Sequence, residues 1–404
     1  MGETMVHLRV RAMVAAVFVV TVFAGAADAR PVEVEPWAEV FANYEYNVSG
    51  YNEHDPRFGD NDRSAFELNR IWIGLDGQLT ERWGGHLIFG AVRTRDLETA
   101  MVDSGEADDP ATPEDESQVE VLRDYGTARS GSYDVIVYKA YLRYTQFRYL
   151  QLDFGLISDA YTSGISKFWR HRYVQEYPMF DRRLSRSPYG DMGVSLWGEF
   201  PGGFGGYRLT ALNGEGGRAA ETGAGKAFEA RVHLAPFAMS RWMAGAKVMG
   251  FWRRDLVEAE SPEVAHTVLE GLAQYDVNFN DAFGASVTGE YIRRDVTSDD
   301  LAVPEITSTV LSFWADTRLW TNFGLVARFD RFDPDDTNDA DTGEGYRDEE
   351  TSVLAGIWVK PIEGVRFCVN GRENRFEERW TDIAGETVQR DPERLVVVNS
   401  EFEF

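Results

Sequence analysis

Leu395-Val396-Val397-Val398-Asn399-Ser400-Glu401-Phe402-Glu403-Phe404 closes the chain, and its alternation runs to the final aromatic residue. A period of two marks an extended strand, because successive side chains leave a pleated backbone on opposite faces. The same period recurs upstream. Leu150, Leu152, Phe154 and Leu156 alternate with Gln151, Asp153 and Gly155; Phe228, Ala230, Val232 and Leu234 alternate with Glu229, Arg231 and His233. Phe283, Ala285, Val287, Gly289 and Tyr291 alternate with Gly284, Ser286, Thr288 and Glu290. In Ile136, Tyr138, Ala140, Leu142 and Tyr144 every second residue is again apolar or aromatic, with Lys139, Tyr141 and Arg143 among the residues between. Each segment therefore has one apolar and one polar face.

Sixteen such segments follow one another, beginning near Trp37, Phe66, Gly84, Asp134, Tyr149, Gly190, Phe204, Lys226, Trp242, His266, Asp281, Ile306, Trp320, Thr351, Gly364 and Glu393. They run for roughly 9–14 residues, enough for a tilted strand to cross a bilayer. Short turns, at Gln146-Phe147-Arg148, Pro201-Gly202-Gly203, Asn280-Asp281, Leu319-Trp320 and Pro361-Ile362-Glu363-Gly364, alternate with long polar loops at 49–65, 96–133, 158–189 and 333–350. A soluble sandwich has no reason to collect its long loops at one end. A barrel in the outer membrane does, with tight periplasmic turns and extended outer loops. Lipid cannot satisfy an open strand edge, so closure is required. The expected fold is all-β: a transmembrane antiparallel β-barrel of about sixteen strands. Trp37, Trp83, Trp242, Trp252, Tyr275, Tyr291 and Trp320 fall near strand ends, where amphipathic rings suit the headgroup level.

Composition agrees with an ordered chain, being 43% apolar and 13% aromatic. A net charge of −26 argues against nucleic acid, whose phosphates need clustered cations. The single cysteine, Cys368, excludes an intrachain disulfide and a Cys-based metal cluster, and parity makes it a spectator beside the lumen. No cofactor or metal is expected. Residues 1–29 read as a cleaved signal peptide: basic His7, Arg9 and Arg11, an apolar run from Val14 to Phe23, then Ala27-Asp28-Ala29. That run is too short to span a bilayer. Mean hydropathy is −0.36, and residues 30–404 form the barrel domain.

A barrel of about sixteen strands encloses water, so passive diffusion is the expected function and the placement of charge sets its preference. Between Asp96 and Asp124 eleven acidic residues face Arg123, and between Asp333 and Glu350 nine face Arg347. These read as solvated outer loops, with bridging to lipopolysaccharide through divalent cations as their functional reading. The loop 158–189 differs. It carries Lys167, Arg170, Arg172, Arg182, Arg183 and Arg186, interleaved with Tyr161, Phe168, Trp169, Tyr173, Tyr177, Phe180 and Tyr189. So aromatic a loop should pack on the barrel's interior, forming a constriction whose guanidinium groups attract anions. Strand parity adds Arg70, Lys139, Arg143, Arg208, Arg231, Lys247, Arg328, Arg366 and Arg372 to the lumen, opposed by Asp76, Asp153, Glu229, Glu270, Asp276, Glu290 and Asp330. Opposed walls would orient polar solutes. A second reading makes Phe168, Trp169 and Tyr173 a stacking track for neutral carbohydrates. Catalysis is not expected, since none of the histidines stands in a Ser/His or paired-carboxylate motif.

The sequence Phe66-Glu67-Leu68-Asn69-Arg70-Ile71-Trp72-Ile73-Gly74-Leu75-Asp76-Gly77 with Trp83-Gly84, together with Tyr138-Lys139-Ala140-Tyr141-Leu142-Arg143-Tyr144, Asp153-Phe154-Gly155 and Ala211-Leu212-Asn213-Gly214, resembles the phosphate-selective porin O and P family of Gram-negative outer membranes. The resemblance implies a homotrimeric, sixteen-stranded, anion-favouring channel with an inward-folded third loop. After Gly155 this chain runs Leu156-Ile157-Ser158-Asp159-Ala160-Tyr161, where the family usually has a Pro-Phe-Gly turn. The terminal Phe404 likewise resembles the signature that bacterial outer-membrane proteins present to their barrel-insertion machinery.

Overall fold

The computed structural model describes residues 33–49, 64–93, 133–182, 184, 190–214, 226–240, 243–257, 264–280, 282–298, 305–334, 349–376, 379–381, 387–389 and 392–404. The segment 1–29, the acidic stretch 96–124, most of 333–350, Trp242, Arg183 and Arg186 lie outside the described residues. The strands are β1 (Glu33–Ser49), β2 (Ser64–Gln78), β3 (Trp83–Arg93), β4 (Tyr133–Phe147), β5 (Leu150–Ile157), β6 (Asp191–Glu199), β7 (Gly205–Leu212), β8 (Lys226–Leu234), β9 (Ala246–Val257), β10 (Val264–Asn278), β11 (Gly284–Ser298), β12 (Ile306–Trp320), β13 (Phe323–Asp333), β14 (Glu350–Ile362), β15 (Val365–Phe376), β16 (Arg379–Thr381), β17 (Thr387–Gln389) and β18 (Glu393–Glu403). All but β16 and β17, which make a separate hairpin, join one closed antiparallel barrel of sixteen strands. The expected strand number is found, and the segment starts agree within about four residues.

Closure is made by the chain's two ends. β18 lies between β15 and β1, with Phe41 opposite Glu401 and Tyr44 opposite Val398. The Phe404 N–H donates to the Ala38 carbonyl at 2.9 Å, and the Ala38 N–H to the Phe404 carbonyl at 3.1 Å. No barrel strand is left with an open edge, the condition lipid imposes.

The outer row is apolar, as in Val248 and Trp252 of β9, Leu269 and Tyr275 of β10, and Val287 and Tyr291 of β11, all exposed. The intervening residues Arg253, Glu270, Gln274, Thr288 and Glu290 are buried. Aromatic side chains collect at the turn end, where Trp83 meets Tyr144 and Phe283 meets Trp320 at ring separations of 4.9 and 6.4 Å. This is the arrangement of an interfacial belt.

One stretch departs from simple alternation. The β3–β4 register slips between Ile88↔Lys139 and Phe89↔Val137, which leaves Tyr138 as an extra residue. A bulge of this kind reverses parity, because the side-chain period is two. Tyr138 consequently turns inward and packs on Trp72 at 5.1 Å, while Lys139, Tyr141 and Arg143 also face inward. The row from Ile136 to Tyr144, read from sequence as one outer face, is split across both. The inner face is also less polar than expected: Val268, Leu272, Ile292, Val310, Trp314, Val326 and Leu354 belong to one buried cluster.

Candidate functional site

The partners of that cluster come from the connection between β5 and β6. Its sequence shapes it locally. Asp159 accepts from the Thr162 N–H at 2.6 Å and from its hydroxyl at 2.5 Å, fixing the start of the one-turn helix α1 (Thr162–Ile165). Pro178, which needs no N–H partner, opens the short helix α2 (Pro178–Asp181). At the base of the connection Gly155 has φ +128°, and a Cβ there would sit 2.4 Å from the Ala140 carbonyl oxygen. Only glycine fits.

The connection is bonded to strands all round the barrel. Tyr161 donates to Glu290 of β11 at 3.0 Å, and the Ala160 N–H to Glu229 of β8 at 2.7 Å. Trp169 packs edge-on against Trp314 of β12 at 5.6 Å, and His171 Nε2 lies 3.0 Å from Asp316 Oδ1. Gln274 of β10 donates to the Phe168 carbonyl at 3.2 Å, and Arg182 pairs with Glu350 of β14. Ala160, Tyr161, Ile165, Trp169, Tyr177 and Met179 are essentially inaccessible. Burial pushes the Tyr177 phenol up to about 12.

The nine basic residues assigned to the inner wall divide by what they touch. Arg208 donates to the Ser158 carbonyl at 3.3 Å, Arg231 to Ala160 at 2.8 Å, Arg328 to Glu176 at 2.6 Å, Arg366 to Arg170 at 3.1 Å and Arg372 to Val174 at 3.3 Å. Arg70 pairs with the Glu176 carboxylate. Six of the nine thus hold the connection, because irregular backbone taken from water leaves carbonyls that need donors. Arg143 and Lys247 pair with Asp153 at 2.7 Å and Asp276 at 2.6 Å, and the Lys139 ammonium lies 5.6 Å from the Tyr138 ring.

Of the basic residues on the connection itself, Arg172 shares Glu176 with Arg70 and stacks over Trp72 at 4.4 Å. Lys167 and Arg170 are exposed. Partial desolvation of its ammonium, together with the neighbouring Arg231 charge, nevertheless holds Lys167 below the usual lysine range. Arg170 lines a cavity of about 310 Å³ at the turn end, together with Arg318, Lys360, Arg366, Asp276 and Asp316. A second cavity of about 500 Å³ is lined by Glu35, Asp76, His86 and Arg143. Sequence reading missed Arg253, which is 1% exposed and pairs with Glu229 at 2.9 Å and Asp255 at 2.8 Å. Continuing the odd parity of Lys247 along β9 would have found it. It also missed Arg318 and Lys360, which flank short turns. The rings of Phe168, Trp169 and Tyr173 are buried in internal contacts.

No protein-family model matches the chain, and no curated protein matches it in sequence. Solved structures do match in fold. An anion-selective porin from Comamonas acidovorans superposes with a TM-score of 0.60 at 9% identity, over 92% of this chain and 100% of the porin. The trimer form of OmpT, an outer membrane protein of Vibrio cholerae, gives 0.56 at 11% identity over 93% and 100%. The outer membrane channel DcaP of Acinetobacter baumannii gives 0.53 at 10% identity over 92% and 97%. At these identities the likeness establishes the outer-membrane barrel fold.

Proposed function

We propose that this protein is a porin of a Gram-negative outer membrane, a route for small hydrophilic solutes with a bias toward anions, phosphate among them. The observation that carries the reading is the closed wall of sixteen strands, with an apolar outer row and ionisable side chains along its inner row. Such an outer row calls for lipid around the barrel. The resemblance to the phosphate-selective porin O and P family and the anion-selective porin among the structural neighbours support the anion bias.

Its physical source is the cations that internal pairs leave over. Arg170 and Lys360 line the turn-end cavity without an ion pair among the described residues, and Lys167 is exposed on the connection after β5. The connection is read as the constriction, a reading supported by its contacts with strands all round the closed barrel. Export by residues 1–29, recognition of Phe404 by insertion machinery, contact with lipopolysaccharide and assembly as a homotrimer complete the proposal. The trimer form of one neighbour supports the last. Purified protein in a planar bilayer under a salt gradient tests it. A zero-current potential of the anion-selective sign, moved by phosphate competing with chloride, is expected, and cation selectivity would refute the bias.

A further inference from the structure

We infer that the conformation described is a shut one: residues 158–184 stopper the barrel, and solutes pass only when this segment leaves the wall. The inference rests on the channel reading and goes beyond it, since a constriction narrows a path whereas a stopper removes it.

Burial round the circumference carries the argument. Every barrel strand except β3, whose buried residue is Gly90, turns at least one buried side chain inward. Phe41 of β1, Trp72 of β2, Tyr138 of β4, Asp153 of β5, Glu229 of β8, Glu290 of β11, Leu354 of β14 and Asn399 of β18 are spread round the circle, and none is more than 9% exposed. A barrel of this strand number holding an open water channel would wet such side chains along at least one arc. Among the described residues, inner side chains that stay partly wet, such as Asp76, His86 and Arg143, line the cavities beside the short turns.

The fit is as tight as a protein interior. A Cβ added at Gly164 in α1 would lie 2.6 Å from Arg231 Cδ and 2.7 Å from Met249 Sδ, so α1 meets the wall with no room for a methyl group. His171 and Trp358, both buried, line the turn-end cavity. Yet much of the hold is polar, made by guanidinium groups donating to loop carbonyls. Water can replace such bonds, so release costs less than unfolding an apolar core of equal size.

Two measurements decide it. In planar bilayers, the intact protein is compared with a variant in which residues 162–182 are replaced by a short Gly-Ser linker. The stopper requires time-averaged conductance at least tenfold lower in the intact chain; any smaller ratio overturns it. Silence of both overturns the channel reading beneath it. The second needs no excision. Cys368, the sole cysteine, points inward on β15, is 1% exposed and shares the packed cluster of Tyr173. In membranes, a charged, membrane-impermeant thiosulfonate should modify it at least tenfold more slowly than a cysteine placed in the turn-end cavity by Thr321→Cys in a Cys368→Ser background. Equal rates would overturn the inference even if the excised variant failed to fold.

Discussion

The Tyr161 hydroxyl donates to Glu290 Oε1 at 3.0 Å, joining a fully buried ring of the β5–β6 connection to a carboxylate of β11 that is 2% exposed. A carboxylate withdrawn from water depends on each donor it retains. The ring is separately packed, against Phe180 at 5.5 Å and Phe251 at 5.8 Å. Tyr161→Phe therefore keeps the packing and deletes one donor. The expected loss is about 1–3 kcal/mol, the cost of leaving a buried acceptor short. It should lower the temperature at which the folded band converts on a semi-native gel. An unchanged transition would show that the bond adds nothing.

Glu176 carries two cations. Arg70 of β2 and Arg172 of the connection both pair with it, and the Arg172 guanidinium lies over Trp72. Removing the shared carboxylate leaves two largely buried positive charges beside each other, which is more costly than losing a surface pair. Glu176→Gln should raise the rate of protease cleavage within 158–184 in membrane-embedded protein several-fold, with Glu176→Asp intermediate. Equal cleavage in all three would mean that other contacts suffice to hold the segment.

Much of this architecture is legible in the sequence, and for a reason. Membrane strands must alternate because their faces meet opposite solvents, so segments such as Phe283–Tyr291 declare both their conformation and their orientation. Periodicity fails at Tyr138, where the bulge depends on how β3 pairs with β4 rather than on either strand alone. The site was harder to read. That Arg208, Arg231 and Arg372 face inward follows from parity, but that they cap carbonyls of Ser158, Ala160 and Val174 depends on the path of a connection without periodicity. Apolar residues such as Val310 and Leu354 on the inner face have the same origin, since they meet aromatic side chains where parity alone expects water.

Lys167 gives a pH signature. Its ammonium is held below the usual lysine range, first by partial desolvation and then by Arg231, so it loses its charge at a lower pH than an ordinary lysine. The folded-state value is depressed for a cation, so the positive charge is lost as pH rises, before the ordinary lysine range is reached. Anion preference should therefore decline over that interval in the intact protein. In Lys167→Arg it should stay level, because a guanidinium remains charged there. Zero-current potentials recorded from neutral to alkaline pH check this; identical profiles would remove Lys167 from the path.

Arg170 and Lys360 test the source of selectivity against the paired cations around them. An ion pair presents little net field to a passing solute, whereas an unpaired cation in a confined cavity presents most of its own. The turn-end cavity brings Arg170 and Lys360 together with Arg366, which is engaged with Glu401. Lys360→Glu should consequently move the zero-current potential toward cations by more than Arg143→Gln does, although Arg143 is also an inner-wall cation. Arg143 is matched by Asp153, and its loss frees a negative charge that is 1% exposed and still accepts from Trp197 and Arg208. Arg170→Glu should add to Lys360→Glu, since both line one cavity. If Arg143→Gln proved the larger, selectivity would reside in the paired wall, and the unpaired cations would be solvated charges without influence on the path.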